Sequence, residues 1–218
     1  MAQGEFEKAL ELWQNISPDQ IFVVEEQPLF QLTDIRNLDL NADFVSNVRG
    51  ALRRIIGSRG VSTERMLEFL HTHICEEKVR ASGKDFGLVT FSLSDRRPYE
   101  LMLDDIPQGK LIDYIMASAS FPGFSAATID GKKYIDGGFY NNCPVNLLDR
   151  LGYEEIIAIR VGSPGVVNRR IHKMKNVKLI SPSQSLGRLM EFSSDSSAAS
   201  IRLGYFDGLK FIERRNMH

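Results

Sequence analysis

The sequence contains no Gly-x-Ser-x-Gly, the strained strand-to-helix turn on which many α/β hydrolases expose a nucleophilic serine. Gly-x-Gly-x-x-Gly and the P-loop pattern are missing too, which disfavours a nucleotide-binding α/β domain. Cysteine is scarce. Cys75 and Cys143 are the only two, with no Cys-x-x-Cys and no Cys/His spacing that suits zinc. Structural thiols in a reducing compartment are the expectation, with no disulfide framework, no metal and no cofactor. Apolar runs are short ones such as EIIAIRVG, well below the length that spans a bilayer. The start, MAQGEFEKALELW, is amphipathic and acidic rather than basic and then apolar, so a cytoplasmic location is expected. Excess charge of either sign is absent as well: 27 Lys+Arg against 28 Asp+Glu leave a formal charge of -1. That balance supplies no global attraction to nucleic acid, which is not expected as a partner, nor to an anionic membrane.

What is present is enough for one globular domain over residues 1–218, with 43% hydrophobic and 25% charged residues. Glu5 to Asn15 places Phe6, Ala9, Leu10, Leu12 and Trp13 near one helical face. Ser17 and Pro18 open a second short helix to about Val24. A third amphipathic segment runs from Asn41 to Ile56 and stops in a Gly57–Gly60 turn, and a fourth starts near Ser62 with Met66, Leu67, Leu70 and Ile74 inward. The period then becomes extended. FGLVTFSLSD and PYELMLDD read as strands joined at Arg96–Arg97, Gly109 to Ala119 as a helix, KKYI as a short strand, and PVNLLDRLG as a helix from Pro144 to before Gly152. EIIAIRVG reads as a buried strand, VKLISP as another, and a last helix runs from about Leu186 or Asp195 to Arg215. This alternation argues for an α/β fold with a largely parallel sheet.

Tyr134 to Pro144, YIDGGFYNNCP, sets Asp136 at the end of an apolar strand before two glycines. Open α/β sheets place ligands outside such strand ends, and glycines permit positive φ and leave a carboxylate unobstructed. The tripeptide alone equally reads as an ordinary turn, with the aspartate bonded to its own backbone.

The flanking sequence carries more. ASASFPGF followed by GKKYIDGGFYNNCPV closely resembles the C-terminal catalytic block of the patatin-like phospholipases. GEFEKALELWQNISPDQIF is similar to the helix pair after the nucleophile in bacterial members. The stretch from EEKVRASGKDFGLVTF to IMASAS resembles their middle section, and IRLGYFDGLKFI their closing helix. The likeness spans about Gly4 to Ile212. It implies a three-layer α/β domain and a lipid acyl hydrolase with a Ser-Asp dyad and no histidine. Asp136 maps onto the dyad base, with Gly137 and Gly138 as the motif glycines beside it. The family's oxyanion loop and nucleophile elbow precede the segment matching Gly4. The expectation is therefore a central and C-terminal portion, incomplete at its N-terminal side and inactive alone.

Ser125, in GFSAA, is the nearest substitute for the nucleophile, but it follows a Pro122 loop and precedes a strand, where an elbow needs strand, turn and helix. GSPG at 162–165 has the wrong spacing. His71 and His73 lie two apart on a helix and point to different faces, and His172 and His218 are isolated. Cys143 reads as packing. NRRIHKMKNVK reads as a solvated loop or as a contact for phospholipid phosphates at a membrane surface. Three functions stay open: a lipid or ester hydrolase represented by part of its chain, a non-catalytic interaction or lipid-surface-binding remnant, and a half-enzyme complemented in trans by an N-terminal half. An unpaired strand edge would favour self-association.

Overall fold

The computed structural model describes residues 3–22, 62–121, 124–162, 165–167, 169–187 and 192–216. The expected helix over 41–56, the 57–60 turn and His218 lie outside them. Chain order is α1 (Phe6–Gln14), α2 (Pro18–Ile21), α3 (Glu64–His73), α4 (Glu76–Ala81), β1 (Gly87–Ser92), β2 (Arg97–Met102), α5 (Leu111–Ala119), β3 (Ala127–Ile129), β4 (Lys132–Asp136), α6 (Gly138–Asn141), α7 (Val145–Arg150), β5 (Ile156–Ile159), β6 (Val177–Ile180) and α8 (Ser194–Asn216). The α/β class holds. α2 starts with Pro18, whose missing N–H costs nothing at a helix start, and Gln20 Oε1 reaches back to accept the Ser17 N–H at 3.0 Å.

The larger sheet corrects the parallel expectation. Its order is β2-β1-β4-β3, and all three of its pairings are antiparallel. Among the described residues only β5 and β6 run parallel, as a separate two-stranded sheet. The cause is local. β1 and β2 are joined by a tight turn with Arg96 at φ 55°, and β3 and β4 by Asp130–Gly131 with φ 49° and 77°. Two successive residues at positive φ make the turn whose twist matches a hairpin, so the strands it joins must be antiparallel. β3 itself was not expected from the sequence, although Asp-Gly between two β-prone triplets signals such a hairpin.

α5 packs against β1, β3 and β4. Its Leu111, Ile112, Met116 and Ala117 are buried; Leu111 joins Val79, Leu88, Leu103 and Ile106, and Ala117 joins Ile129 and Tyr134. A separate cluster of Cys143, Val145, Ile156, Ala158 and Ile171 ties α7 to the parallel pair. One expected burial fails. β5 alternates, with Ile156 and Ala158 buried but Ile157 exposed and Ile159 70% exposed. Phe6 and Trp13 on α1 are also exposed.

The approach to α5 is organised by one ion pair. Glu76 on α4 is buried, accepts Arg80 Nε at 2.7 Å, and takes the N–H groups of Gly109 and Leu111 at 2.9 and 3.2 Å, so it satisfies the start of α5. Arg80 also donates to the carbonyls of Leu103 and Ile106 at 3.2 and 2.8 Å. Burial works to raise the Glu76 carboxyl, but Arg80 and the two backbone donors outweigh it and hold the group below its ordinary value. Its stabilising effect is therefore fully present above the unfolded value and is lost as pH falls through the depressed folded one. Glu76→Gln is expected to cost about 1–3 kcal/mol in urea unfolding at neutral pH. The gap from wild type should narrow below about pH 4.5, the ordinary value.

Candidate active site

Asp136 is the last residue of β4 and pairs in register with Thr90 on β1, a fully buried residue whose Oγ1 donates to the Ile135 carbonyl at 2.8 Å. On its other side the Asp136 N–H donates to the carbonyl of Ser120, the residue that closes α5, at 2.9 Å. The small residues of Ala117–Ser120 have a structural reason. Ala117 and Ser120 are almost wholly buried, where the end of α5 presses onto the β4 terminus, and Ser120 Oγ turns back to the Met116 carbonyl at 2.8 Å.

The two glycines act by closeness and not by backbone freedom, contrary to the expectation of positive φ. Gly137 sits at φ -70°, an ordinary helical value. A Cβ built on it would lie 2.1 Å from the Val89 carbonyl oxygen of β1. At Gly138 a Cβ would meet Asp136 Oδ1 at 3.0 Å and Asn142 Oδ1 at 3.1 Å. Gly137 thus lets the chain cross over β1, and Gly138 keeps clear the space beside the carboxylate.

The Asp136 carboxylate is half-buried and asymmetric. Oδ1 accepts the Gly138 N–H at 2.6 Å, which is the local aspartate turn that the tripeptide suggested. Oδ2 has no partner among the described residues and is not wholly shut off from solvent, since no fully buried side-chain oxygen among them lacks a hydrogen bond. Desolvation pushes this carboxyl above the usual aspartate range, and the Gly138 hydrogen bond pulls it only partly back. One oxygen is held and the other is open, on a group with raised basicity. Such a carboxylate can accept a proton from a donor placed at Oδ2.

The turn is braced from behind by residues the sequence did not single out. Asn142 donates its N–H to the Val166 carbonyl at 2.6 Å, and Val166 donates back to the Gly138 carbonyl at 2.9 Å. Gly165, at φ 153°, lies so close that a Cβ would stand 2.5 Å from Asn142 Nδ2. Gly165, the last residue of the wrongly spaced GSPG, and Val166 after it therefore strap the Asp136 turn. Asn141 donates to Asn146 Oδ1 at 2.7 Å, and Asn146 to Glu100 Oε1 at 2.8 Å. Arg150 meets the other Glu100 oxygen at 2.8 Å. Burial tends to raise the Glu100 carboxyl, but Asn146 and Arg150 bring it below its usual value. This chain bolts α6 and α7 to β2. The doublet Asn141–Asn142 was the available signal.

The remaining candidates do not gather at Asp136. Ser125 lies between the buried Phe124 and β3, so a strand and not a helix follows it. Continuing the β3–β4 register would bring it level with Asp136, but the ladder ends at Ala127. Cys143 is buried and its thiol is pushed up by that burial, which suits packing. His71 and His73 occupy the last turn of α3, with the His73 ring against Phe69. Among the described residues no three potential ligands converge on a metal position. Ile171 anchors the basic stretch in the cluster around Cys143, and His172 is exposed within it.

The mixed α/β frame thus presents a braced carboxylate at a strand end. The chain matches the Patatin-like phospholipase family over residues 2–149 and belongs to it. Both Asp136 and its glycines lie inside the matched region, while the Gly165–Val166 strap lies beyond it. A search of curated proteins finds none that matches.

Gly137→Ala is expected to destabilise the protein by at least about 3 kcal/mol, because the new methyl meets backbone and not a movable side chain. Gly138→Ala should cost less while displacing the carboxylate. Chemical denaturation of both variants against wild type checks the order.

Proposed function

We propose that the chain is the carboxylate-bearing portion of a Ser-Asp lipid acyl hydrolase, with Asp136 as the base and the nucleophilic serine supplied from outside these 218 residues. The whole described length serves as one domain in this reading. The observation that carries it is the asymmetric Asp136 carboxylate, with Oδ1 fixed by Gly138 and Oδ2 open and desolvated.

The chemistry follows from that geometry. Oδ2 takes the proton of a serine hydroxyl as the serine oxygen bonds to the ester carbonyl carbon, forming a tetrahedral intermediate. Collapse expels the alcohol, which receives that proton from the Asp136 carboxyl, and leaves an acyl-serine. Water then attacks the acyl carbon, giving its proton to Oδ2, and the fatty acid departs as the serine oxygen is reprotonated. The held oxygen fixes the carboxylate plane, so no side-chain rotation accompanies proton transfer.

A fluorophosphonate probe should leave the isolated 218-residue chain unlabelled. It should label the serine once a chain bearing the Gly-rich loop and Gly-x-Ser-x-Gly is added. In that complemented enzyme Asp136→Asn is expected to lower ester turnover by about 10²- to 10⁴-fold, whereas Ser125→Ala leaves it near wild type. Asp136→Asn should also raise stability at neutral pH, because burial disfavours ionisation in the folded state. The raised value means this carboxylate favours folding less as pH rises through it, so the gain should disappear at low pH. Labelling of the lone chain, or full turnover by Asp136→Asn, would overturn the assignment.

A second reading, an interaction protein that completes itself by association, is favoured by β5. Among the described residues β5 pairs only with β6, and Ile157, Ile159 and Val161 stand exposed along it. Analytical ultracentrifugation should show concentration-dependent association that Ile159→Lys weakens. A monomer with cooperative unfolding at all concentrations would count against this reading.

A further inference from the structure

One side chain accounts for two of the glycines around Asp136. Asn142 lies in a slot whose walls are the bare Cα atoms of Gly138 and Gly165. A Cβ on Gly138 would stand 3.1 Å from Asn142 Oδ1, and one on Gly165 would stand 2.5 Å from Nδ2 and 2.7 Å from Cγ. Neither wall leaves room for a methyl group beside the amide. Backbone closes the slot: the Asn142 N–H donates to the Val166 carbonyl at 2.6 Å, and the Val166 N–H to the Gly138 carbonyl at 2.9 Å. The Asp136 carboxylate borders the same space. A Cβ on Gly138 would meet Asp136 Oδ1 at 3.0 Å, almost as near as it meets Asn142 Oδ1. Asn142 thus fills a place beside Asp136 Oδ1 that water would otherwise enter. The atom it presents there is an acceptor, which cannot replace the hydrogen bond that water would donate. What Oδ1 retains is the Gly138 N–H at 2.6 Å.

We propose that Asn142 is a positioning residue for Asp136: its wedged amide holds the Gly138 N–H on Oδ1 and keeps water from that oxygen, so that Oδ2 is the oxygen that exchanges a proton. A bare aspartate turn would do neither, because on an open surface both oxygens stay wet. Removing water from Oδ1 without supplying another donor penalises the charged form, which is the direction in which burial moves this carboxyl. The groups packed around it are neutral: Thr90 on β1, Ser120 at the end of α5, Val166 in the strap and Asn142 itself. No charged side chain among the described residues contributes to its shift. For turnover the role of Asn142 depends on Asp136 being the base, whereas the state of the carboxyl can be read in the lone chain.

The test is carbon NMR of the carboxyl groups of the 218-residue chain across pH, with the Asp136 signal assigned by its loss in Asp136→Asn. In Asn142→Ala water reaches Oδ1 and solvates the charged form, so the Asp136 midpoint should fall toward the usual aspartate range. Asn142→Leu, of nearly the same shape, should keep the midpoint raised. Asn142→Asp sets a like charge beside the carboxylate, so the midpoint should rise above wild type and the pair should titrate in two coupled steps. A residue that only supported the fold would not move the midpoint in opposite directions. Circular-dichroism melts identify any variant that fails to fold, and Asn142→Asp, which keeps the side-chain shape, then decides alone. In the complemented enzyme Asn142→Ala should lower kcat by about 10- to 100-fold with KM near wild type. An Asp136 midpoint unmoved by Asn142→Asp, or equally low in folded alanine and leucine variants, would overturn the proposal. Full turnover by Asp136→Asn would remove the base assignment and leave the midpoint shifts standing.

Discussion

Everything at the candidate site depends on how closely β4 runs out over β1. Gly137 lies so near the Val89 backbone that no side chain fits between them. That contact determines where β4 ends, and the end of β4 is where Asp136 stands. Thr90 opposite, Ser120 behind and the Gly138 N–H ahead each take one group of the aspartate or its neighbours. A carboxylate is costly to hold away from water unless its geometry is determined on several sides at once. Here the backbone around it is satisfied while one oxygen is left open.

The supports of this turn come from distant parts of the chain. α5 reaches the β4 terminus through Ser120, and α5 is itself started by Glu76 and Arg80. The strap at Gly165–Val166 follows β5, and the Asn141–Asn146–Glu100–Arg150 chain returns to β2. A disturbance at α4 is thereby linked to the position of a side chain 60 residues later in sequence. The Glu76 pair and the Asp136 carboxylate also respond oppositely to pH. One is held below its usual range by partners and the other is raised above it by burial.

Away from that site, several large apolar side chains stand exposed. Ile157 and Ile159 of β5 are exposed, and so are Tyr205, Phe206, Leu209 and Ile212 of α8. Large exposed apolar surface is uncommon on a protein that works alone. The two regions meet at one cavity, where Ile159 and Val161 face Ile201 and Leu203 of α8.

Much of this was legible in the residues. Ser17–Pro18, the hairpin at Arg96, the helix at 109–119 and the strand into Asp136 follow from local chemistry, and local chemistry is written in sequence. Tyr134 to Pro144 and the run before it were enough to indicate the family, and Asp136 as its carboxylate. Sheet direction was not legible, because alternating strands and helices fit parallel crossovers and hairpins alike until Asp130–Gly131 is seen folded. Nor was the reason for the glycines, which appeared to need positive φ and in fact need the nearness of Val89. The burial of β5 was misjudged because an apolar side chain shows that it prefers cover, not that cover is there. The strap from Gly165 to Gly138 and the asymmetry of the Asp136 oxygens were decided only by tertiary structure. Both arise where segments far apart in the chain meet, and no local pattern records which backbone groups such meetings leave free.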